Sequence, residues 1–325
     1  MKLIKIILNN IGKEFKYLVY SYALLLIFTA VLALSVWNLY LQMKQAENNY
    51  QEYLHSRAEY EKQGMDIEKA LHAPSDVQKQ ENGNGSEIEF VDNVLKYDYD
   101  NVSKALTIMR PNRILTQTLE WLSFFFFPLI FTIYGLYVAT YDFKYKTYRV
   151  KAVQTAWYHL LLAKQLTVYL SILAVVVVTL VLSYPVGLFF YRRISGNIPI
   201  HDFHLNVPME HHVLWQFLLS LFICFLFSTL GFCAGVVFQR FSAPAILFVV
   251  YHFLIPFLGK YDLRNMVAVL GHKVFSFYGN FQLVKPVAVP VPLAIVLPIV
   301  FVIVCTLAAY GIAMKQSKYV VKGHF

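Results

Sequence analysis

Six apolar stretches, roughly 18–41, 115–140, 163–190, 213–238, 243–259 and 289–314, restrict what this chain can fold into. Most of them exceed the about 18 residues that mark a membrane span. In hydrocarbon, backbone groups must satisfy one another, so such stretches form helices. The expected fold is an all-α polytopic membrane protein with six transmembrane helices. Composition agrees: 14% of residues are charged, against about 25% in ordinary soluble domains. The first stretch is too long for the apolar core of a secretory signal, about 7 to 15 residues, and reads as a retained span.

The segments between the stretches complete the plan. Residues 1–17 form an interfacial helix, with Leu3, Ile4, Ile7, Leu8, Ile11 and Phe15 opposite Lys2, Lys5, Lys13 and Lys16. The loop 42–114 is a large extracytoplasmic element, helical over about 42–72. Residues 75–89, with Gly83, Asn84 and Gly85, read as a flexible turn, and a second short element runs over about 90–110. Residues 260–288 read as interfacial or re-entrant helices between the fifth and sixth spans. Pro128 and Pro185 are candidate kinks, with Pro128 freeing the carbonyl near Phe124.

Charge placement sets the orientation. Segments 1–17, 141–162, 239–242 and 315–325, with Lys164 at their boundary, hold 13 cations against only Glu14 and Asp142. The loop 42–114 holds nine cations and 13 carboxylates. Both termini are therefore expected in the cytoplasm of a cell-membrane protein. The net charge of +9 is a topology signal and not a nucleic-acid footprint.

Few side chains offer chemistry. No phosphate loop, GxSxG, HExxH or paired-cysteine motif occurs, so neither ATP hydrolysis nor another enzymatic activity is expected of this chain. Cys224, Cys233 and Cys305 sit in apolar stretches as small apolar residues. His201, Asp202, His204, Glu210, His211 and His212 crowd one outer loop, but Pro199 and Pro208 interrupt it, and no metal site is expected. Ionisable groups within spans are scarce: Glu120, read as reaching water or facing a substrate, and His252, read as an interhelical donor. That scarcity speaks against proton-coupled transport.

The segment from Tyr141 to Lys164 is the most specific. It places Asp142, then Thr147 five residues on, a short amphipathic helix, and Lys164 where the third span begins. In this it resembles the membrane subunits of ABC-2 type transporters. Lys146 stands where that family usually has glycine, and Thr155 about where a proline often appears. The resemblance extends more loosely over the chain, to an N-terminal surface helix, six spans and outer re-entrant helices.

What the resemblance implies is a half-transporter. Residues 141–162 would be the coupling helix. Asp142, Lys146, Thr147, Arg149, Val150, Lys151, Val153 and Trp157 would engage a separate ABC ATPase subunit, which binds ATP and Mg. The valines and Trp157 would anchor in a groove, while Lys144, Lys146, Arg149 and Lys151 would meet acidic groups or lipid phosphates. A second permease half, identical or related, completes the path. Thr116, Glu120, Phe124, Phe127, Thr132, His252 and Pro256 are its candidate lining. The expected cargo is an exported amphipathic peptide, antibiotic or lipid. The alternative is a membrane sensor or assembly scaffold acting through the outer loop.

Overall fold

The computed structural model describes residues 2–75, 77–81, 87–148, 150–151, 156–204, 212–277 and 281–321. Its elements are α1 (Lys2–Tyr20), α2 (Ala23–Lys62), α3 (Ile67–His72), β1 (Val77–Glu81), β2 (Glu87–Val91), α4 (Val94–Ile108) and α5 (Ile114–Trp121). A π-helical turn (Leu122–Phe126) joins α5 to α6 (Phe127–Lys144). Then come α7 (Trp157–Asn197), α8 (Val213–Phe238), α9 (Ser242–Phe253), α10 (Leu263–Val274) and α11 (Val291–Val321). Among the described residues, five stretches are long and apolar enough to cross a membrane: α2, Pro111–Lys144, α7, α8 and the α11 segment Val291–Gln316. The molecule is a helical bundle of a kind compatible with a multi-pass membrane protein.

The fifth expected span differs. Over 243–259 a crossing helix was expected, but α9 has only 12 residues and stops at Phe253. At 1.5 Å per residue it reaches about 18 Å, well short of the about 30 Å hydrocarbon thickness. Pro256 cannot continue a helix, and residues 254–262 run on as turns and extended chain.

Two ends of the bundle can be distinguished. At the basic end lie α1, the α6–α7 connection and the close of α11. At the loop end α2 continues unbroken past the bundle to Lys62 and packs on α4. There Met43, Tyr53, Leu95, Val102, Leu106, Ile194 and Phe203 bury one another in a separate small core. Phe203 meets the edges of Tyr50 and Tyr53 and stacks on Tyr99. The flexible turn expected over 75–89 is instead an antiparallel hairpin, β1 with β2, in a register pairing Val77 with Val91. The Gly83–Gly85 part falls outside the described residues.

The centre of the bundle is the contact between α6 and α8, and glycines make it possible. A Cβ at Gly135 would overlap the carbonyl oxygen of Ser228, and one at Gly231 that of Thr132. Gly231 and Gly235 are one helical turn apart, the small-residue spacing by which helices approach closely in lipid. Around this seam Phe127, Phe131, Val138, Val168, Ile172, Cys224 and Phe232 are buried.

Pro128 does not simply kink its helix. The π-turn directly before it absorbs the missing N–H, and the Phe127 N–H reaches back to the Leu122 carbonyl. The periphery is apolar outward. In α9 only Pro244 is buried, and along α11 Leu293, Val300, Val304 and Leu307 are exposed. Helix α1 follows the same inverted logic: Ile4 and Leu8 face out, while Asn10, Glu14 and Leu18 turn into the bundle.

Candidate functional site

At the basic end, four charged side chains from four separate segments meet. Glu14 comes from α1, Asp142 from the last turn of α6, Lys151 from the α6–α7 connection and Lys164 from α7. Lys164 Nζ is 2.7 Å from an Asp142 oxygen and 3.9 Å from Glu14. Lys151 Nζ is 2.8 Å from Glu14 and 2.9 Å from Asp142. The Thr147 hydroxyl donates to Asp142 at 2.6 Å, and Lys164 donates to the Val138 carbonyl at 3.0 Å. Glu14, Asp142 and Lys164 are all but fully buried. Two carboxylates and two ammonium groups cancel, which is the condition for holding charge where water is scarce.

A tyrosine supports the cluster. Lys164 Nζ lies 3.6 Å from the centre of the Tyr141 ring, whose other neighbour is the stacked ring of Tyr17 at 4.1 Å. An ammonium over an aromatic face is attracted by the ring quadrupole. Tyr17 belongs to α1, so the stack ties α1 to α6 a second time.

The connection has a defined shape. Helix α6 ends at Lys144, residues 145–147 form a turn, and Tyr148, Val150 and Lys151 are helical. Lys146 has φ +57°, the left-handed region that favours glycine. Here the resemblance expected a glycine, and the backbone adopts the conformation a glycine would suit while carrying a lysine.

The expected docking residues separate into two groups. Lys144, Lys146 and Val150 are exposed. Lys151 instead turns inward to Glu14 and Asp142, so it is not presented for a partner. Trp157 is likewise not on one helical face with Val150. It opens α7 and packs edge-on against Phe143 at 6.0 Å. Arg149 and Val153 lie outside the described residues. A polar groove of about 600 Å³ adjoins the turn, lined by Lys146, Tyr148, Gln239, Arg240 and Gln316 among others.

The candidate path residues also divide. Glu120 does not reach water: it is buried. Thr116 donates to Gln216 at 2.8 Å. Phe127 is core, and the Thr132 hydroxyl lies 2.6 Å from the Pro128 carbonyl, with the Phe227 carbonyl at 3.2 Å. By contrast, Phe124 and His252 line one cavity of about 290 Å³ beside the π-turn, at the end of the short helix α9.

That helix end is capped by one side chain. Arg264 donates to the carbonyls of Tyr251 and Ile255 at 2.7 Å each, and to Pro256 at 2.9 Å. It also pairs with Asp262 at 2.8 Å. Asp262 in turn caps α10 and accepts from Tyr251 and from the Leu258 amide. Burial disfavours its charge, yet the bonds from Arg264, Tyr251 and the backbone amides prevail and hold its carboxyl down at about 2. The unpaired carbonyls of a helix that ends early thus find a cation.

In the crowded histidine loop, the Tyr99 hydroxyl donates to the Asp202 carbonyl, and Phe203 is buried, so its described part serves packing. No three metal-ligating side chains converge among the described residues. Glu210 and His211 lie outside them.

Sequence reasoning missed Glu14, Tyr141, Asp262, Arg264 and the glycine seam. One signal for Glu14 was present, since it is the only acid in a helix of lysines. Comparison with known proteins finds no matching family model, no matching curated protein and no matching solved structure.

Proposed function

We propose that this chain is the membrane subunit of an ATP-driven exporter of the ABC-2 type, with hydrolysis in a separate nucleotide-binding subunit. The observation that carries this reading is the four-charge cluster. Through Thr147 and Lys151 it fastens the exposed turn 145–147 to α1, α6 and α7 at once. A partner that grips Lys144, Lys146 and Val150 would therefore move three helices together rather than one loop. Buried, balanced ion clusters resist being opened one bond at a time, because a lone charge in that setting is costly. The cluster would pass a displacement on instead of absorbing it.

In this reading both termini are cytoplasmic, α9 and the chain after it complete a sixth crossing, and a second half covers apolar faces such as that of α9. Of the candidate lining, Phe124, His252 and the chain around Pro256 form the cargo-facing set. The test is affinity purification of the tagged chain from its own membranes. A nucleotide-hydrolysing subunit should co-elute, and D142A should abolish the chain's stimulation of Mg-ATP hydrolysis while leaving co-elution intact. Absence of any such subunit overturns the reading.

One observation favours a second reading, a sensor or scaffold. The loop-end unit built on α2 and α4 has a core of its own. Deletion of residues 48–108 decides: a scaffold loses all function, whereas an exporter keeps basal transport.

A further inference from the structure

Three of the membrane-length stretches end at one cleft. Pro111–Lys144, α8 and the α11 segment Val291–Gln316 each bring their last turn to the polar groove of about 600 Å³, through Phe143, Phe238 and Gln316. A crossing helix stops being apolar where the hydrocarbon stops. A cleft built from three such ends therefore lies at the depth of the lipid headgroups.

The charge of this cleft is of one sign. Lys146 and Arg240 line it, and both are exposed. Among the described residues no carboxylate lines it and neither cation has an ion-pair partner, whereas Lys151, Lys164 and Arg264 are each spent on carboxylates. The helix ends do not claim the two cations either. Carbonyls at such ends attract positive charge, but those of Tyr141, Phe143 and Gly235 take the backbone N–H groups of Tyr145, Lys146 and Gln239. Both turns do this with a left-handed residue, Lys146 at φ +57° and Gln239 at φ +53°. The Gln239 amide donates to the Gln316 carbonyl oxygen, which ties α8 to α11 and leaves the Gln316 amide nitrogen as a neutral donor at the cleft.

The remaining wall is apolar and leads outward. Phe238 is exposed, and so is Ile312, one turn before Gln316 along α11, with Leu307 beyond it. An occupant thus meets cations at one end and bare helix surface at the other. A free phosphate or an acidic peptide would use only the cations, whereas a phospholipid uses both. Basic pockets between membrane helices at this depth suit lipid headgroups, and the volume lies within the roughly 300 to 1,000 Å³ of ligand sites.

We infer that this cleft holds the headgroup of an anionic phospholipid, its phosphate paired with Lys146 and Arg240 and its acyl chains along Phe238 and Ile312. The inference rests on the chain's crossing a membrane and not on the exporter reading. Lys144 and Val150 do not line the cleft and remain for a protein partner.

The test uses the purified chain in nonionic detergent, without an ATPase. It is offered equal amounts of phosphatidylglycerol and phosphatidylcholine with matched acyl chains, and bound lipid is counted by native mass spectrometry. Phosphatidylglycerol should be preferred, and K146Q and R240Q should each cut the preference about fivefold, the worth of one cation near a membrane surface. K13Q/K16Q removes two exposed cations that do not line the cleft and should leave the preference unchanged. In the wild type, phosphatidylglycerol with a photoreactive headgroup should label residues 143–148 and 237–240, a readout that no variant's folding can disturb. Glycerophosphoglycerol, the same headgroup without chains, should not displace that label at the concentration where phosphatidylglycerol does. Displacement at that concentration would assign the cleft to a soluble phosphate and overturn the inference. So would label placed elsewhere, an undiminished preference in K146Q/R240Q, or an equal loss in K13Q/K16Q. If K146Q/R240Q keeps the lipid preference but loses a co-eluting subunit, the cations belong to a protein interface, and the inference fails while the exporter reading stands.

Discussion

Two sites in this bundle bury charge, and they do so in opposite ways. At the basic end, four side chains from positions 14, 142, 151 and 164 cancel one another across four segments. At the junction of α9 and α10, Asp262 and Arg264 are two residues apart, and the arginine spends most of its donors on backbone carbonyls. The first arrangement is a tertiary tie, and its loss should disturb how helices are placed. The second is a local repair of a helix that ends too soon, and its loss should disturb one junction. Both obey the same constraint: a buried charge persists only when paired and hydrogen-bonded.

The largest effect should come from the tie. K164A leaves two buried carboxylates facing one ammonium, and the expected cost is about 3–5 kcal/mol, the usual consequence of orphaning a buried ion. Thermal unfolding in detergent should show it. Protease should also cut more readily between 144 and 157, since the turn loses its anchor. The double variant D142A/K164A should recover a large part of the loss, because the remaining Glu14 and Lys151 still cancel. If the double variant is as unstable as the single one, the cluster is held by packing and not by charge balance.

The repair should be next. R264A leaves several carbonyls and Asp262 without their partner, at about 2–4 kcal/mol in total. The signature should be confined. Amide exchange should rise over 254–262 and at the start of α10, while the basic end keeps its protection. A response that spread to residues 141–151 would show that the two sites are coupled, and would erase the distinction drawn between them.

How these two sites relate to the sequence differs as well. The long apolar helices were legible because length and polarity alone decide them. Asp142, Thr147 and Lys164 stood out because they lie within 23 residues of one another. Glu14 did not, since its partners Lys151 and Lys164 are more than 130 residues away and only packing brings them together. Lys151 looked like one more exposed cation of a basic segment. Its inward turn depends on Glu14, which no local spacing reveals. The short α9 was read as a full span because its apolar run continues past Phe253 to Leu258. What ends it is Pro256 together with a cap supplied from Arg264. The seam between α6 and α8 was hidden for the same reason: Gly135 and Gly231 acquire meaning only opposite Ser228 and Thr132.

Acid separates the two sites without mutation. Asp262 has its carboxyl held at about 2, below the about 3.9 of an unfolded aspartate. A depressed carboxyl stabilises the fold above the unfolded value, and the contribution fades as pH falls from there through the folded value. The α9–α10 junction should therefore keep its full stability from neutrality to about pH 5, then weaken between about pH 4 and 2. Exchange of the Leu258 amide, which donates to Asp262, reports it directly. Loosening of that amide already at pH 6 would mean that the carboxyl is not held by its donors.

The smallest effect tests the turn itself. Lys146 adopts φ +57°, where an L side chain costs about 1–2 kcal/mol and glycine costs nothing. K146G removes that strain but adds freedom to the unfolded chain, so the net gain should be about 0.5–1 kcal/mol. In a bundle of this size that is a rise in Tm of about 1 °C. The ion cluster should be untouched, because Lys146 is not part of it. The two properties then move apart: a stiffer, more stable turn, but one exposed cation fewer for an anionic partner. If K146G instead lowers the Tm, the lysine side chain contributes more to the fold than its backbone strain removes. The turn would then belong with the charge cluster rather than merely beside it.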